Sequence, residues 1–188
     1  MPTVLQNGVT GDSLCLDTAS QGNAETYVVK DVVAAVDAQL RSEVDPRNRG
    51  IGGLSMGAYC ALNLGLKFPD VFSVVLDFSG DTSPVTDMLS GGLPELFGAN
   101  WQQQVAANSP DKYYTRLDPR KGPVLWMDCG TNDPNLPYMQ TFAGQLKAKG
   151  FTVEFHTRPG SHDFATWTAA LKDALPWAAQ RLGTSTGG

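Results

Sequence analysis

The stretch Gly52-Gly53-Leu54-Ser55-Met56-Gly57-Ala58 decides how the rest of the chain is read. It follows a short apolar run at Arg49 to Gly52 and precedes a helical pattern from Ala58 to Phe68 that stops at Pro69. Gly53, Ser55 and Gly57 fit G-x-S-x-G, a sharp strand-to-helix turn that lifts a serine hydroxyl over the end of a sheet. Glycines suit the flanks, because side chains two residues either side of the serine are expected to collide with the neighbouring strand or helix. The spacing alone is weak, arising by chance in roughly one chain of this length in fifteen. The strand before it and the Ala-containing helix after it supply the context the motif requires.

Working outward, the chain alternates apolar runs with helical patterns. Glu25 to Val44 reads as a helix, with Val28, Val32, Val33, Val36 and Leu40 at helical spacing and Asp45-Pro46 as its stop. Val71 to Phe78 and Pro123 to Cys129 are nearly continuous apolar runs, expected for strands buried on both faces. Asn135 to Lys149 reads as a helix closed by Gly150, Phe151 to Thr157 as a strand, and His162 to Leu182 as a last helix, kinked or broken near Pro176. The order predicts an α/β fold, a mostly parallel sheet with crossover helices, whose ligands bind outside the C-terminal strand ends. One domain is expected over residues 1–183, with an excursion at about 81–120 and a disordered tail at 184–188.

Composition narrows the function. The chain has 188 residues, 41% hydrophobic and 18% charged, which is globular and not disordered. A net charge of −5 with no basic stripe argues against nucleic acid. No apolar run approaches the roughly 20 residues that span a bilayer, and no secretory signal opens the sequence. Histidine, cysteine and carboxylate spacings predict no metal site, no phosphate-cradling motif occurs, and no cofactor is implied. Cys15, Cys60 and Cys129 allow at most one internal disulfide; three reduced thiols used as small apolar residues is the plainer alternative.

Ser55 is the candidate nucleophile, and the Met56 backbone N–H, at the start of the following helix, is the candidate oxyanion donor. The base is His156 or His162, since there are only two histidines. His156 lies within an alternating strand, whereas His162 follows Pro159-Gly160-Ser161 at a strand's C-terminal end and is favoured. Asp128 and Asp133 compete as the acid. Asp128 lies inside an apolar strand and Asp133 in the loop beyond it, so Asp133 is favoured to reach His162 and fix its tautomer.

These residues resemble the esterase branch of the α/β-hydrolases that holds esterase D, feruloyl esterases and mycobacterial mycolyltransferases. The matching stretches are Ala24-Glu25-Thr26-Tyr27 with Lys30-Asp31-Val32, the Ser55 turn, Phe68-Pro69-Asp70-Val71-Phe72, Asp77-Phe78-Ser79-Gly80, Gly130-Thr131-Asn132-Asp133-Pro134 and Pro159-Gly160-Ser161-His162-Asp163-Phe164. The resemblance implies an α/β-hydrolase fold, Ser55, Asp133 and His162 as a triad, and a carboxylic-ester hydrolase working through an acyl-enzyme. Its substrate would be a small-molecule, glycan or lipid ester. An acyltransferase to a sugar hydroxyl and an inactive hydrolase-like binding module are the alternatives. Similarity to actinobacterial members with extracytoplasmic esterase domains implies that location and a Cys15–Cys60 disulfide.

Such members begin with further strands and a His-Gly-type loop that donates a second oxyanion N–H. Here Met1-Pro2-Thr3 looks like the end of the strand after that loop, so the fold is expected to be N-terminally truncated. Three arrangements would meet the deficit: a missing N-terminal segment, a homo-oligomer that completes the sheet, or a donor supplied by Gln6 to Gly11. The excursion residues Met88, Leu89, Leu93, Leu96, Phe97, Trp101, Tyr113 and Tyr114 would either wall the pocket or pack the excursion onto the sheet. Phe164 and Trp167 are expected as core anchors.

Overall fold

The structure is a computed structural model that describes residues 13–40, 45–84 and 92–183. Gln6 to Gly11, Met88, Leu89 and the tail at 184–188 lie outside them. A short hairpin, β1 (Asp17–Thr18) and β2 (Gly22–Asn23), leads into α1 (Ala24–Thr26), a π-helical segment (Tyr27–Val32) and α2 (Val33–Leu40). The four-stranded sheet then follows as β3 (Gly50–Leu54), β4 (Val74–Phe78), β5 (Val124–Gly130) and β6 (Val153–Arg158). Helices α3 (Met56–Lys67), α7 (Leu136–Lys149) and α8 (Phe164–Arg181) flank it. Between β4 and β5 lie α4 (Gly92–Phe97), α5 (Trp101–Ala107) and α6 (Pro110–Tyr113).

All four strands are parallel and lie side by side in chain order, β3-β4-β5-β6. Each residue of β4 is buried, Asp77 included, as its nearly continuous apolar run predicts for a strand covered on both faces. Successive side chains alternate between two cores. Val75, Leu125, Met127 and Cys129 pack with Leu62 and Leu66 of α3 and Met139, Phe142 and Leu146 of α7. Val74, Leu76, Phe78 and Trp126 pack on the other face with Trp167, Ala170, Ala174 and Trp177 of α8. Thus α3 and α7 cover one face and α8 the other, and the parallel pairing sets the C-terminal ends of all four strands along one edge.

Three boundaries differ from the sequence reading. The strand expected from Val71 starts at Val74, because the amides of Val71 and Phe72 both turn back to the Phe68 carbonyl. The final helix runs without a break through Pro176. The first helix contains a π segment, whose wider turn admits an extra residue. Val29, absent from the expected stripe, is buried with Leu64 and Phe72, and Val28 and Val33 of that stripe pack against the same cluster.

Cys15 and Cys60 are disulfide-bonded, which joins the segment before β1 to the helix that starts at Met56. Leu14 and Leu16 on either side of Cys15 are buried with Tyr59, Leu93 and Leu96, and Phe97 and Trp101 pack against the same cluster. Tyr113 joins the α3–α7 core, with Tyr114 packed against it. The described aromatic and aliphatic residues of the excursion thus pack it onto the body of the protein.

Candidate active site

The turn between β3 and α3 is the first component. Ser55 has φ 54° and ψ −123°, a left-handed-side backbone that serine rarely adopts. It is held there by its N–H donating to the Phe78 carbonyl at 2.9 Å and by its own carbonyl accepting from Ala58 and Tyr59 at 2.9 and 3.1 Å. Gly53 is required by packing: a Cβ there would overlap the Gly57 carbonyl and the Ala58 nitrogen. Gly57 differs from the expectation. A Cβ at Gly57 would meet no atom within 4 Å among the described residues, since that position points away from the strand. Met56 is the first residue of α3, so its N–H is one of those that helix geometry leaves without an intrahelical acceptor.

The second component is a pair of loops joined beyond the ends of β5 and β6. The Thr131 N–H donates to the Arg158 carbonyl at 2.8 Å and the Asn132 N–H to the Gly160 carbonyl at 2.9 Å, extending the ladder past the strands. This brings Asp133 to His162. The Asp163 carboxylate caps α8 by accepting the Thr166 N–H at 2.8 Å, and that bond holds its carboxyl below the usual range. The Thr166 hydroxyl in turn accepts the Ser161 N–H at 3.1 Å. His162 therefore leaves a loop locked on both sides.

The outcome is a continuous chain of contacts. Ser55 Oγ lies 2.8 Å from His162 Nε2, and His162 Nδ1 lies 3.0 Å from Asp133 Oδ2 and 3.2 Å from Oδ1. The Asp133 side chain is fully buried and also accepts the Asn135 N–H at 2.9 Å, while the imidazole is about one-third exposed. A carboxylate at Nδ1 places the ring proton there and turns the Nε2 lone pair toward the serine hydroxyl.

The competing residues are used elsewhere. Asp128 is buried in β5 and accepts two hydrogen bonds from Arg158, at 2.8 and 2.6 Å. His156 stacks on Trp126, with ring centroids 3.8 Å apart, on the α8 face of the sheet. Trp167 is a buried anchor, but Phe164 is not, being 72% exposed with its ring edge against Trp167. It is the first residue of α8 and points off the end of the core.

Three residues that border the site were not among the expected site residues: Ser79, Asn135 and Trp167. Trp167 meets His162 edge-on at 4.9 Å, its indole N–H donates to Ser79 Oγ at 2.9 Å, and Asn135 Nδ2 donates to the Ser79 carbonyl at 3.0 Å. The available hint for Ser79 was the Asp77-Phe78-Ser79-Gly80 stretch, one of those that match the family, at the end of a nearly continuous apolar run.

The profile of the family described as "Putative esterase" matches residues 17–178. The chain belongs to this esterase family. An acetyl esterase of Caldicellulosiruptor saccharolyticus is 29% identical over 143 residues, covering 68% of this chain and 53% of the relative. An uncharacterised protein of Corynebacterium glutamicum is 28% identical over 182 residues, covering 93% of this chain and 42% of its own length. This member of the esterase family thus spans about half the length of these relatives. Among solved structures, a ferulic acid esterase is 26% identical with a TM-score of 0.76, covering 90% of this chain and 65% of that one. An S-formylglutathione hydrolase from Agrobacterium tumefaciens has a TM-score of 0.75 at 22% identity, covering 94% of this chain and 69% of that one. The fold is that of the α/β-hydrolases.

Proposed function

We propose that the chain is a serine esterase that hydrolyses carboxylic esters through an acyl-enzyme on Ser55. The observation that carries this reading is the run of contacts from Ser55 Oγ through both imidazole nitrogens of His162 to the buried Asp133, built on a strained strand-to-helix turn. Membership of the esterase family supports it.

In the first half-reaction, Ser55 Oγ attacks the ester carbonyl carbon while His162 Nε2 takes the hydroxyl proton. Asp133 holds the Nδ1 proton in place and stabilises the imidazolium without accepting that proton. The Met56 N–H, at the positive end of α3, faces the oxygen on which charge develops. The carbon–oxygen bond to the alcohol then breaks, and the alcohol leaves with the proton from Nε2. In the second half, His162 takes a proton from water, the hydroxide adds to the acyl carbon, and the carboxylic acid departs as Ser55 recovers its proton. The substrate on this reading is a small-molecule, glycan or lipid ester.

The test is intact mass after incubation with a fluorophosphonate, on the native chain and on Ser55→Ala. One adduct on the native chain and none on the variant is expected, together with hydrolysis of a p-nitrophenyl ester by the native chain alone. A folded native chain that takes up no adduct would overturn the reading.

A further inference from the structure

Ser79 is outside the Ser55–His162–Asp133 chain, yet it holds a group on each side of it. It follows β4 directly, is fully buried, and has φ 60°. A serine at positive φ is disfavoured relative to glycine, so its side chain persists there against the backbone preference. Every polar atom it owns is engaged. Its N–H donates to the Asp128 carbonyl at 3.0 Å, and its hydroxyl points its proton at the Cys129 sulfur, 3.9 Å away. Its carbonyl accepts Asn135 Nδ2 and its Oγ accepts the Trp167 indole N–H.

Two of these bonds lead to the site. Asn135, held by the Ser79 carbonyl, donates its backbone N–H to Asp133 Oδ1 at 2.9 Å. Trp167, held by the Ser79 hydroxyl, presents its ring edge-on to the His162 imidazole with an interplanar angle of 86°. The backbone carbonyl thus steadies the seat of the acid, as any residue's would, whereas the hydroxyl, which only this side chain supplies, sets the wall against which the base rests. Removing Oγ leaves a buried indole N–H unpaired, and the indole can regain a partner only by moving away from its place beside His162.

We propose that the Ser79 side chain is a positioning group for the reaction at Ser55, fixing His162 through Trp167. This rests on the serine-esterase reading above. Because Ser79 is fully buried, substrate does not reach it, and its loss acts on turnover and not on KM. Small displacements of a general base can lower rates by about 10²-fold.

The experiment compares native chain, Ser79→Gly and Trp167→Phe by three readouts: the thermal midpoint, kcat and KM on a p-nitrophenyl ester, and the downfield Nδ1 proton of His162 in NMR. Glycine suits the left-handed backbone, so Ser79→Gly should keep a thermal midpoint close to the native one. Its kcat should nevertheless fall about 10- to 100-fold with KM within twofold, and the Nδ1 proton signal should broaden or vanish. Trp167→Phe keeps an aromatic ring but removes the N–H donor together with part of the buried ring's bulk, and should lower kcat at least as much, with a lower thermal midpoint. The double variant should have a kcat no lower than Trp167→Phe alone, because the bond that Ser79→Gly breaks is then already gone. A native-like Nδ1 signal and native-like kcat in Ser79→Gly would overturn the proposal. If the native chain shows the Nδ1 proton but Ser55 takes no fluorophosphonate, the esterase reading alone fails. The response of that proton to Ser79→Gly still decides the positioning role.

Discussion

The carboxyl of Asp77 accepts the Gly80 N–H at 2.9 Å through one oxygen, while its other oxygen has no hydrogen-bond partner among the described residues. The group is fully buried at the end of β4, beneath the first turn of the helix that follows Ser55. Burial raises its pKa from 3.8 to about 7, against the lowering effect of the Gly80 bond.

This sets a pH dependence of stability. Between about pH 4 and 7 the folded chain keeps a proton on Asp77 that the unfolded chain has released, so the folded state binds more protons and loses stability as pH rises. The loss across that window is on the order of 4 kcal/mol. Asp77→Asn cannot ionise and should flatten that part of the profile, so it loses less stability than the native chain between pH 5 and 8. Urea unfolding at the two pH values checks this; parallel losses in both proteins would contradict it.

The two candidate aspartates should separate cleanly in their effects. Asp133→Asn leaves the fold intact but removes the carboxylate that fixes the His162 tautomer, and should lower kcat by about 10³- to 10⁴-fold with an unchanged thermal midpoint. Asp128→Ala removes the buried partner of Arg158 and leaves it the exposed Asp173 alone, and should destabilise the protein by about 1–3 kcal/mol. Ester turnover and chemical denaturation on both variants give the comparison.

The two glycines beside Ser55 should also behave differently. Gly53→Ala forces a methyl group into the backbone of Gly57 and Ala58, and should cost about 3 kcal/mol or more. Gly57→Ala places its methyl in open space among the described residues and should fold with a midpoint near the native one. Thermal unfolding of the pair distinguishes packing at the turn from a general demand for glycine.

Opening the disulfide should be felt as stability. Cys15 and Cys60 are 45 residues apart in sequence, and closing a loop of that size is worth about 4 kcal/mol in the chain-entropy description. A Cys15→Ser/Cys60→Ser double variant should unfold at correspondingly lower urea. Reductant should shift the native chain and leave the variant unmoved.

Much of the fold was legible in the sequence because its signals are local. An apolar run with glycines on either side of a serine describes one strand, one turn and one helix, and the structure has them at Gly50–Leu54, Ser55 and Met56–Lys67. The parallel sheet followed from short, largely apolar strands separated by helical patterns. The loop positions of Asp133 and His162 were readable for the same reason, as residues just past strand ends. The Cys15–Cys60 pairing came from family resemblance and not from spacing.

What only the tertiary structure decided depends on contacts between distant parts of the chain. Nothing near Ser79 in sequence reveals that it meets Trp167, 88 residues later, or Asn135, 56 residues later. The exposure of Phe164 was equally hidden, since an aromatic residue in a helical pattern reads the same whether its face ends on a core or on solvent. The π segment at Tyr27–Val32 was hidden too, and with it the burial of Val29 against Leu64 and Phe72, beside Val28 and Val33 of the expected stripe. Periodicity and turn chemistry act over a few residues and so determine elements and their order. Hydrogen-bond partners and the limits of the core are chosen only when the sheet closes, by which groups it leaves within reach of one another.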